Sequence, residues 1–339
     1  MRTPLAAAAL ALFTLTACGN NNVPPRSPEP PATPPAEAGN NQGSTPPPLP
    51  PPESSPETAP LPPQVAEQEW APGKYMGQAI RIVGESARQL EQRSKFGFAK
   101  EHASLMGAYL KKGEVIDITL SLKQSREYAF IGGGSQYAID VDLGILAEED
   151  GKVLKADMEK DSAPAFRWRP PADGSYKVRL KLQDSRASGD FVALAVMHEG
   201  GYAIPARNLL ASFESTLSMA SAASAKARKL GKKGLVFHEN KNWSFFGVVL
   251  RPGEMNTFSG FKFDGSAIVM AGGDSGTDNL DLFIKDSANN ILDKDDAPDA
   301  NPLVVFKPTD TSARYKIGVK QASQKGATLA TVAVLDIEE

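Results

Sequence analysis

The chain carries one cysteine and three histidines in 339 residues. A lone cysteine excludes any intramolecular disulfide, even in an oxidising compartment. His102, His198 and His238 are scattered, which leaves too little for a typical zinc site and puts no imidazole in a recognisable catalytic context. No H-E-x-x-H and no G-x-S-x-G pattern occurs. An excess of one charge is missing as well: 37 basic residues against 40 acidic ones leave a formal net charge of −3. There is thus no polybasic footprint for nucleic acid. The apolar run from Leu5 to Leu15 is too short to cross a bilayer as a mature helix.

What that run does carry is a leader. Arg2 supplies a minimal positive start, and the run ends in Leu15-Thr16-Ala17-Cys18 followed by Gly19. Small residues directly before a cysteine, at the end of a signal-like stretch, resemble the bacterial lipobox. The resemblance implies a lipoprotein signal peptide over residues 1–17 and lipidation of Cys18, with palmitate among the acyl chains. Each buried methylene contributes about 0.8 kcal/mol, so several chains on one residue anchor stably. Glycine after the cysteine resembles outer-membrane sorting, with the domains in the periplasm or on the exterior. The plainer alternative is a cleaved signal with an incidental cysteine.

Residues 18–72 form a low-complexity linker. The stretch from Gly19 to Gln68 holds 17 of the 27 prolines and almost no large apolar residue. Such a segment cannot bury enough surface to offset its ordering entropy, which predicts a disordered tether lifting the folded part off the membrane.

Beyond the tether the chain repeats itself at an offset of about 140 residues. Asp142-Leu143 returns as Asp281-Leu282, Lys155 as Lys294, Pro164 as Pro302, Trp168 as Phe306 and Pro170 as Pro308. Leu110, Gly113 and Glu114 match Leu250, Gly253 and Glu254; Gly132-Gly133 matches Gly272-Gly273; Phe98 matches Phe237; Ala87-Arg88 matches Ala227-Arg228. Within each copy, Ile80, Val83, Ala87 and Leu90, then Leu210, Phe213 and Leu217, mark one face of a short helix. Period-2 runs such as Ile116-Ile118-Leu120-Leu122 and Tyr176-Val178-Leu180-Leu182 mark half-buried strands. Asp150-Gly151 and Asn289-Asn290 both permit the left-handed backbone of a tight hairpin. The expected fold is mainly β: two tandem antiparallel β-sandwich (jelly-roll-like) domains over residues 73–204 and 205–339, each preceded by a short helix.

The repeated block runs from an xxGE turn through a Gly-rich turn and an Asp-Leu pair to an aromatic-x-Pro strand and a closing Tyr strand. It resembles the bacterial pre-peptidase C-terminal (PPC) domain. In the first copy the resembling residues are Gly113, Glu114, Asp140, Asp142, Leu143, Gly151, Asp157, Pro164, Pro170, Gly174, Tyr176 and Val178. In the second they are Gly253, Glu254, Asp281, Leu282, Asn290, Pro302, Pro308, Tyr315 and Ile317, without the glycine before the tyrosine. The resemblance implies an accessory or binding domain with no catalysis of its own.

Clustered aspartates are the candidate metal ligands: Asp140, Asp142 and Asp157 in the first copy, Asp278, Asp281, Asp295, Asp296 and Asp299 in the second. Hard oxygen ligands suit Ca²⁺, and some PPC-like domains bind it, although the spacing fits no EF-hand. The favoured reading is that these aspartates cap turns, so no cofactor is required. Gly272-Gly273-Asp274-Ser275-Gly276 looks like a serine-protease stretch, but Gly133-Gly134-Ser135 holds the same place in the other copy, which favours a turn. Trp168 and Phe306 are candidates for stacking on a sugar ring or, more commonly, for core packing. The expectation for the whole is a lipid-anchored cell-envelope protein, non-enzymatic, binding an envelope protein or polysaccharide. The rival is an envelope hydrolase with a site formed between the two sandwiches.

Overall fold

A computed structural model describes residues 74–100, 102–238, 243–322 and 326–338. The signal segment, Cys18 and the proline-rich stretch lie outside the described residues. Among the described residues no helix is long and apolar enough to cross a membrane.

The first half runs α1 (Lys74–Arg93), β1 (Phe96–Phe98), β2 (Leu105–Lys111), β3 (Val115–Leu122), β4 (Tyr128–Gly134), β5 (Ala138–Ala147), β6 (Val153–Asp157), β7 (Ala165–Trp168), β8 (Gly174–Ser185) and β9 (Gly189–Glu199). The second runs α2 (Ala206–Lys229), β10 (Gly234–Phe237), β11 (Phe245–Leu250), β12 (Met255–Phe261), β13 (Ala267–Gly272), β14 (Leu280–Lys285), β15 (Ile291–Asp295), β16 (Leu303–Phe306), β17 (Tyr315–Gln321) and β18 (Thr328–Glu338). Each half is a mainly antiparallel β-sandwich. The helices, expected to be short, are 20 and 24 residues long.

The two sandwiches follow one another along the chain and are also fused. One sheet runs through both in the order β16-β13-β18-β11-β2-β9-β4-β7, with β1 and β10 added beside β9 and β18. Each half then covers this sheet with four strands of its own, β3-β8-β5-β6 or β12-β17-β14-β15. The join is the antiparallel pair β2–β11, in which Leu105, Met106 and Gly107 face Gly247, Phe246 and Phe245. Those triplets are the same positions of the repeat, so the join has the self-complementary form of a two-fold dimer interface. It is closed at both ends by matching bonds, Ser104 N–H to Gly247 O at 2.9 Å and Ser244 N–H to Gly107 O at 3.0 Å. Glycine sits opposite a bulky side chain on each side of the dyad. A Cβ at Gly107 would lie 2.5 Å from the Phe191 ring, and one at Gly247 would lie 2.9 Å from Leu105 Cβ. The dyad is broken by Trp243, which stands where the first half has Ala103 and reaches across to donate from Nε1 to Asp117 O at 3.1 Å.

A single hydrophobic core spans both halves, from Phe130, Leu143 and Val178 to Phe263, Leu282 and Ile317. The helices cover the other face of the shared sheet. α1 presents Met76, Ala79, Ile80, Val83 and Ala87 as a buried stripe at helical spacing. α2, poorer in apolar bulk, is pinned by hydroxyls: Ser212 Oγ donates to Gly272 O at 2.8 Å, and Thr216 Oγ1 meets Thr331 Oγ1 at 2.7 Å.

The cross-strand partners fix which residues are equivalent. Asp142 faces Lys181 and Asp281 faces Lys320, so the two Asp-Leu pairs do hold one position. Four finer matches shift. Lys155 falls opposite Ile145 and Lys294 opposite Phe283, so the counterpart of Lys155 is Asp293. Gly133 and Gly272 take one place, facing Ala193 and Thr331, so Gly132 answers to Ala271. Gly151 and Asn289 are the left-handed turn residues, at φ 71° and 70°, so Asn289 rather than Asn290 stands for the glycine. In the helices, Ile82 and Val83 lie over Gly133 where Ser215 and Thr216 lie over Gly272, so Ala87 and Ala227 are not at the same height.

Candidate functional site

The aspartates singled out in the sequence are spent mostly on backbone N–H groups and lysines. Asp157 accepts from Glu159 N at 3.2 Å and Ala165 N at 2.9 Å; Asp295 accepts from Ala297 N and Leu303 N at the same two distances. Each staples an edge strand of the covering sheet to the edge strand of the shared one. Asp299 accepts from Asn301 N at 2.8 Å, as Asp161 does from Ala163 N. Asp161 was missed in the sequence, although the common Asp-x-x-Pro spacing before Pro164 and Pro302 carried the signal. Asp281 accepts from Lys320 Nζ at 3.3 Å, and Asp296 pairs with Lys294, whose hydrogen bond holds the carboxyl below its usual range. Asp278 is exposed.

Asp140 and Asp142 are the less settled pair. Burial, then the charges of Asp140 and Asp157, raise the Asp142 carboxyl, against the pull of Lys181. Asp140 Oδ1 is buried without a partner, as is Asn279 Oδ1 at the equivalent position. Among the described residues no three Asp, Glu, His or Cys side chains come together in a way that could hold a metal ion.

The Gly-Gly-Asp-Ser-Gly stretch is a turn with its aspartate turned in. Asp274 Oδ1 accepts from Gly276 N at 2.9 Å and Thr277 Oγ1 at 3.2 Å, and Oδ2 accepts from Asn208 Nδ2 at 3.1 Å. Ser275 points to solvent. The first half solves the same place differently. Ser135 stands where Asp274 does, and the carboxylate comes from Asp190 on the neighbouring strand, where the second half has Thr328. Asp190 Oδ1 accepts from Ser135 Oγ and from Phe191 N, the latter at 2.8 Å, while Oδ2 is buried with no partner. Burial pushes this carboxyl up to about 6.

The histidines do not converge with a nucleophile. His102 and His198 turn Nδ1 to the backbone oxygens of Ala103 and Glu199. His238 and Asp336 do form a pair, Nδ1 to both carboxylate oxygens at 3.0 Å. Its Nε2, the atom that would serve a serine, is buried without a partner, and the ring lies against Phe261 and Phe263. Nor is there an open seam between the sandwiches at β2–β11, where Met106, Phe246 and Trp243 join one packed core.

Among the described residues, a concave site lies at the far edge of the first half, between α1 and the terminal strand β7. It is a groove of about 430 Å³. Ala129 and Ile131 of β4 and Ala165 of β7 form its floor, and Gln89, Leu90 and Arg93 of α1 form one wall. Arg167 rises from β7 on the other side, its guanidinium 4.9 Å from the centre of the Phe96 ring. No carboxylate among the described residues pairs with Arg93 or Arg167. Phe166 and Trp168, on the opposite face of the same strand, pack against the sandwich core, and Trp168 meets Tyr176 edge-on. The aromatic residue weighed for sugar stacking is therefore turned away from the groove, and Phe306 is likewise buried.

The second half has no such floor. Register places Ile268 and Met270 where the first half has Ala129 and Ile131, and Leu303 and Val305 where it has Ala165 and Arg167. One half thus carries small residues and an arginine at the positions that the other fills with apolar bulk.

No known family profile matches this chain, and no curated protein matches it. Among solved structures it is similar to PliG of Aeromonas hydrophila, a periplasmic inhibitor of g-type lysozyme, at 19% identity over 30% of this chain and 91% of that one, with a TM-score of 0.25. The exported protein XepA of PBSX is similar at 9% identity over 70% of this chain and 88% of that one, TM-score 0.23. Tripeptidyl peptidase 2 is similar at 6% identity over 71% and 23%, TM-score 0.23. At such scores nothing of their function is carried to this chain.

Proposed function

We propose that this chain is a lipid-anchored envelope protein whose fused sandwiches act as one non-enzymatic binding body, with the ligand held in the groove of the first half. The observation that carries the reading is the asymmetry of the groove. A duplicated scaffold has the same packing problem to solve twice, and at this place one copy sets Ala129 and Ala165 under a groove where the other sets Ile268 and Leu303. The ordinary outcome at a sheet–helix boundary is the filled one. A pocket with an apolar floor and a few placed polar groups is the common form of a binding site. The lipobox-like Leu15-Thr16-Ala17-Cys18 supports the anchor at an envelope membrane, and Gly19 after the cysteine supports the outer one.

Two measurements test it together. Cys18→Ser is expected to move the protein from the membrane to the soluble fraction and to abolish labelling by a palmitate analogue. Quantitative cross-linking in intact envelopes is expected to show adducts that fall at least fivefold in the filled-groove variant Ala129→Ile/Ala165→Leu, which copies the second half. Unchanged adducts with a filled groove would remove the binding site from the proposal; unchanged membrane retention of Cys18→Ser would remove the anchor.

A further inference from the structure

We infer that the groove takes an acidic peptide segment in extended form, laid beside β7 as one more strand of the shared sheet. This rests on the proposed binding role and names its ligand class.

The first observation is the backbone. Pro164 O accepts from Gly132 N at 2.7 Å and Ser162 O from Gly134 N at 2.8 Å, so the even-numbered residues of this segment turn their peptide groups toward β4. Antiparallel pairing alternates, which turns Ala165, Arg167 and Arg169 outward. Ala165 N–H confirms the alternation, since it is taken from the outer side by Asp157 Oδ2. The peptide groups of Arg167 and Arg169 are next along the same side. β7 ends the sheet, so they lie on an edge that an added strand can pair with.

The second observation is charge. Side chains of an added strand would alternate between the sandwich side and the α1 side. On the α1 side they would meet Arg167 and Arg93, two guanidiniums without a carboxylate partner among the described residues. Arg169 is exposed two residues further along the strand. Arginine pairs with carboxylates through a planar fork, often bidentate, and is held in place here at one end by Phe96. The floor of Ala129, Ile131 and Ala165 leaves room for a small apolar residue between acidic ones. A polysaccharide is less well served, because the half-buried aromatic rings of β7 pack against the core on the other face of the strand.

The third observation is the internal control. The second half has the same terminal strand, β16, stapled in the same way by Asp295, but Val305 replaces Arg167 and Leu303 replaces Ala165. The edge is common to both halves; the cation and the space belong to one.

The experiment uses the full chain and a peptide of sequence Glu-Val-Glu-Val-Glu-Val, capped by fluorescein at its N-terminus and amidated at its C-terminus. Fluorescence anisotropy is expected to show saturable binding, weakened at least tenfold when every Glu is Gln and at least tenfold when the backbone nitrogen of the middle Glu is methylated, which removes the donor that would face β7. Arg167→Glu is expected to weaken it at least tenfold, and Arg93→Glu/Arg167→Glu to bind the Lys-Val counterpart instead. Melting temperatures of the variants, within 2 °C or so of the parent, show that the fold is kept. Equal binding of the Glu and Gln peptides, or no effect of Arg167→Glu, overturns the inference. No binding of the peptide while envelope adducts remain groove-dependent overturns the ligand class and leaves the proposed function standing.

Discussion

Asp190 and Asp274 show how two halves of one duplication can keep a function of a residue while moving the residue. Each supplies a buried carboxylate near the start of the last strand of its sandwich, from adjacent strands, and each lies beside the N–H of Phe191 or Leu329. The sequence hid this, because the matched positions read Ser135 against Asp274 and Asp190 against Thr328, and neither pair looks alike. The cost differs too. Asp190 has a hydroxyl and one firm N–H, so burial wins and its carboxyl rises from 3.8 to about 6. A carboxyl raised in the folded state is fully tolerated below its unfolded value, and its ionisation destabilises the fold as pH rises through the folded one. The expected penalty at neutral pH is about 3 kcal/mol. Asp190→Asn should therefore melt with the parent below pH 4, pull ahead of it between pH 4 and 6, and hold a constant lead above that. Thermal melts across pH 3–8 check this; a lead already complete at pH 3.5 would mean that the charge is not the cause. Asp157 and Asp295, by contrast, are legible as turn aspartates. Removing either should cost about 2 kcal/mol, the loss of charge-assisted bonds to two backbone donors. Because those oxygens are occupied, calcium at a few millimolar is expected to leave the melting temperature of the chain unchanged, which a calorimetric titration reads directly.

At the scale of elements, the strands that alternate were readable and those that do not were not. β3, β8 and β17 bury every second residue and follow period-2 runs in the sequence. β1 and β10 are three and four residues long and mostly buried, so they offer no alternation to find. The same feature explains the missed fusion. β11 is buried at all six positions, which is the mark of a strand covered on both faces rather than of a sandwich edge. At the join Gly107 is closed in by Phe191 of its own half and faces Phe245 of the other. Gly107→Val should drive a side chain into Phe191 and cost about 1–3 kcal/mol, enough to lower the melting temperature by several degrees. Gly265, where an added Cβ would meet nothing within 4 Å, is the matched control and should tolerate Ala with little change. The groove was beyond sequence reading for a different reason. Its walls come from α1, β4 and β7, and its meaning appears only when register shows Ala129 and Ala165 standing where Ile268 and Leu303 stand.

For the molecule as a whole, a shared sheet and a shared core change what the duplication can do. Two domains on a flexible joint would melt separately and move independently. Here β2–β11 hydrogen bonds, the Trp243 indole bonded to Asp117 O and one continuous core tie the halves together. Unfolding either half would expose the apolar face of the other at the join, so the expectation is a single transition in which the calorimetric and van't Hoff enthalpies agree. Trp243→Ala removes the indole that crosses the dyad and should cost about 3–5 kcal/mol. If the coupling runs through that residue, the variant melts in two steps, and hydrogen exchange in β18 then rises before exchange in β9. If it keeps one sharp transition at lower temperature, the strand pair alone carries the coupling. Two separate transitions in the parent chain would show instead that the halves are neighbours and not one body. A rigid body of this kind would hold the groove at one end at a fixed distance and orientation from the other end. That bears on the proposed binding role, because a ligand in the groove would then keep one orientation relative to the second half.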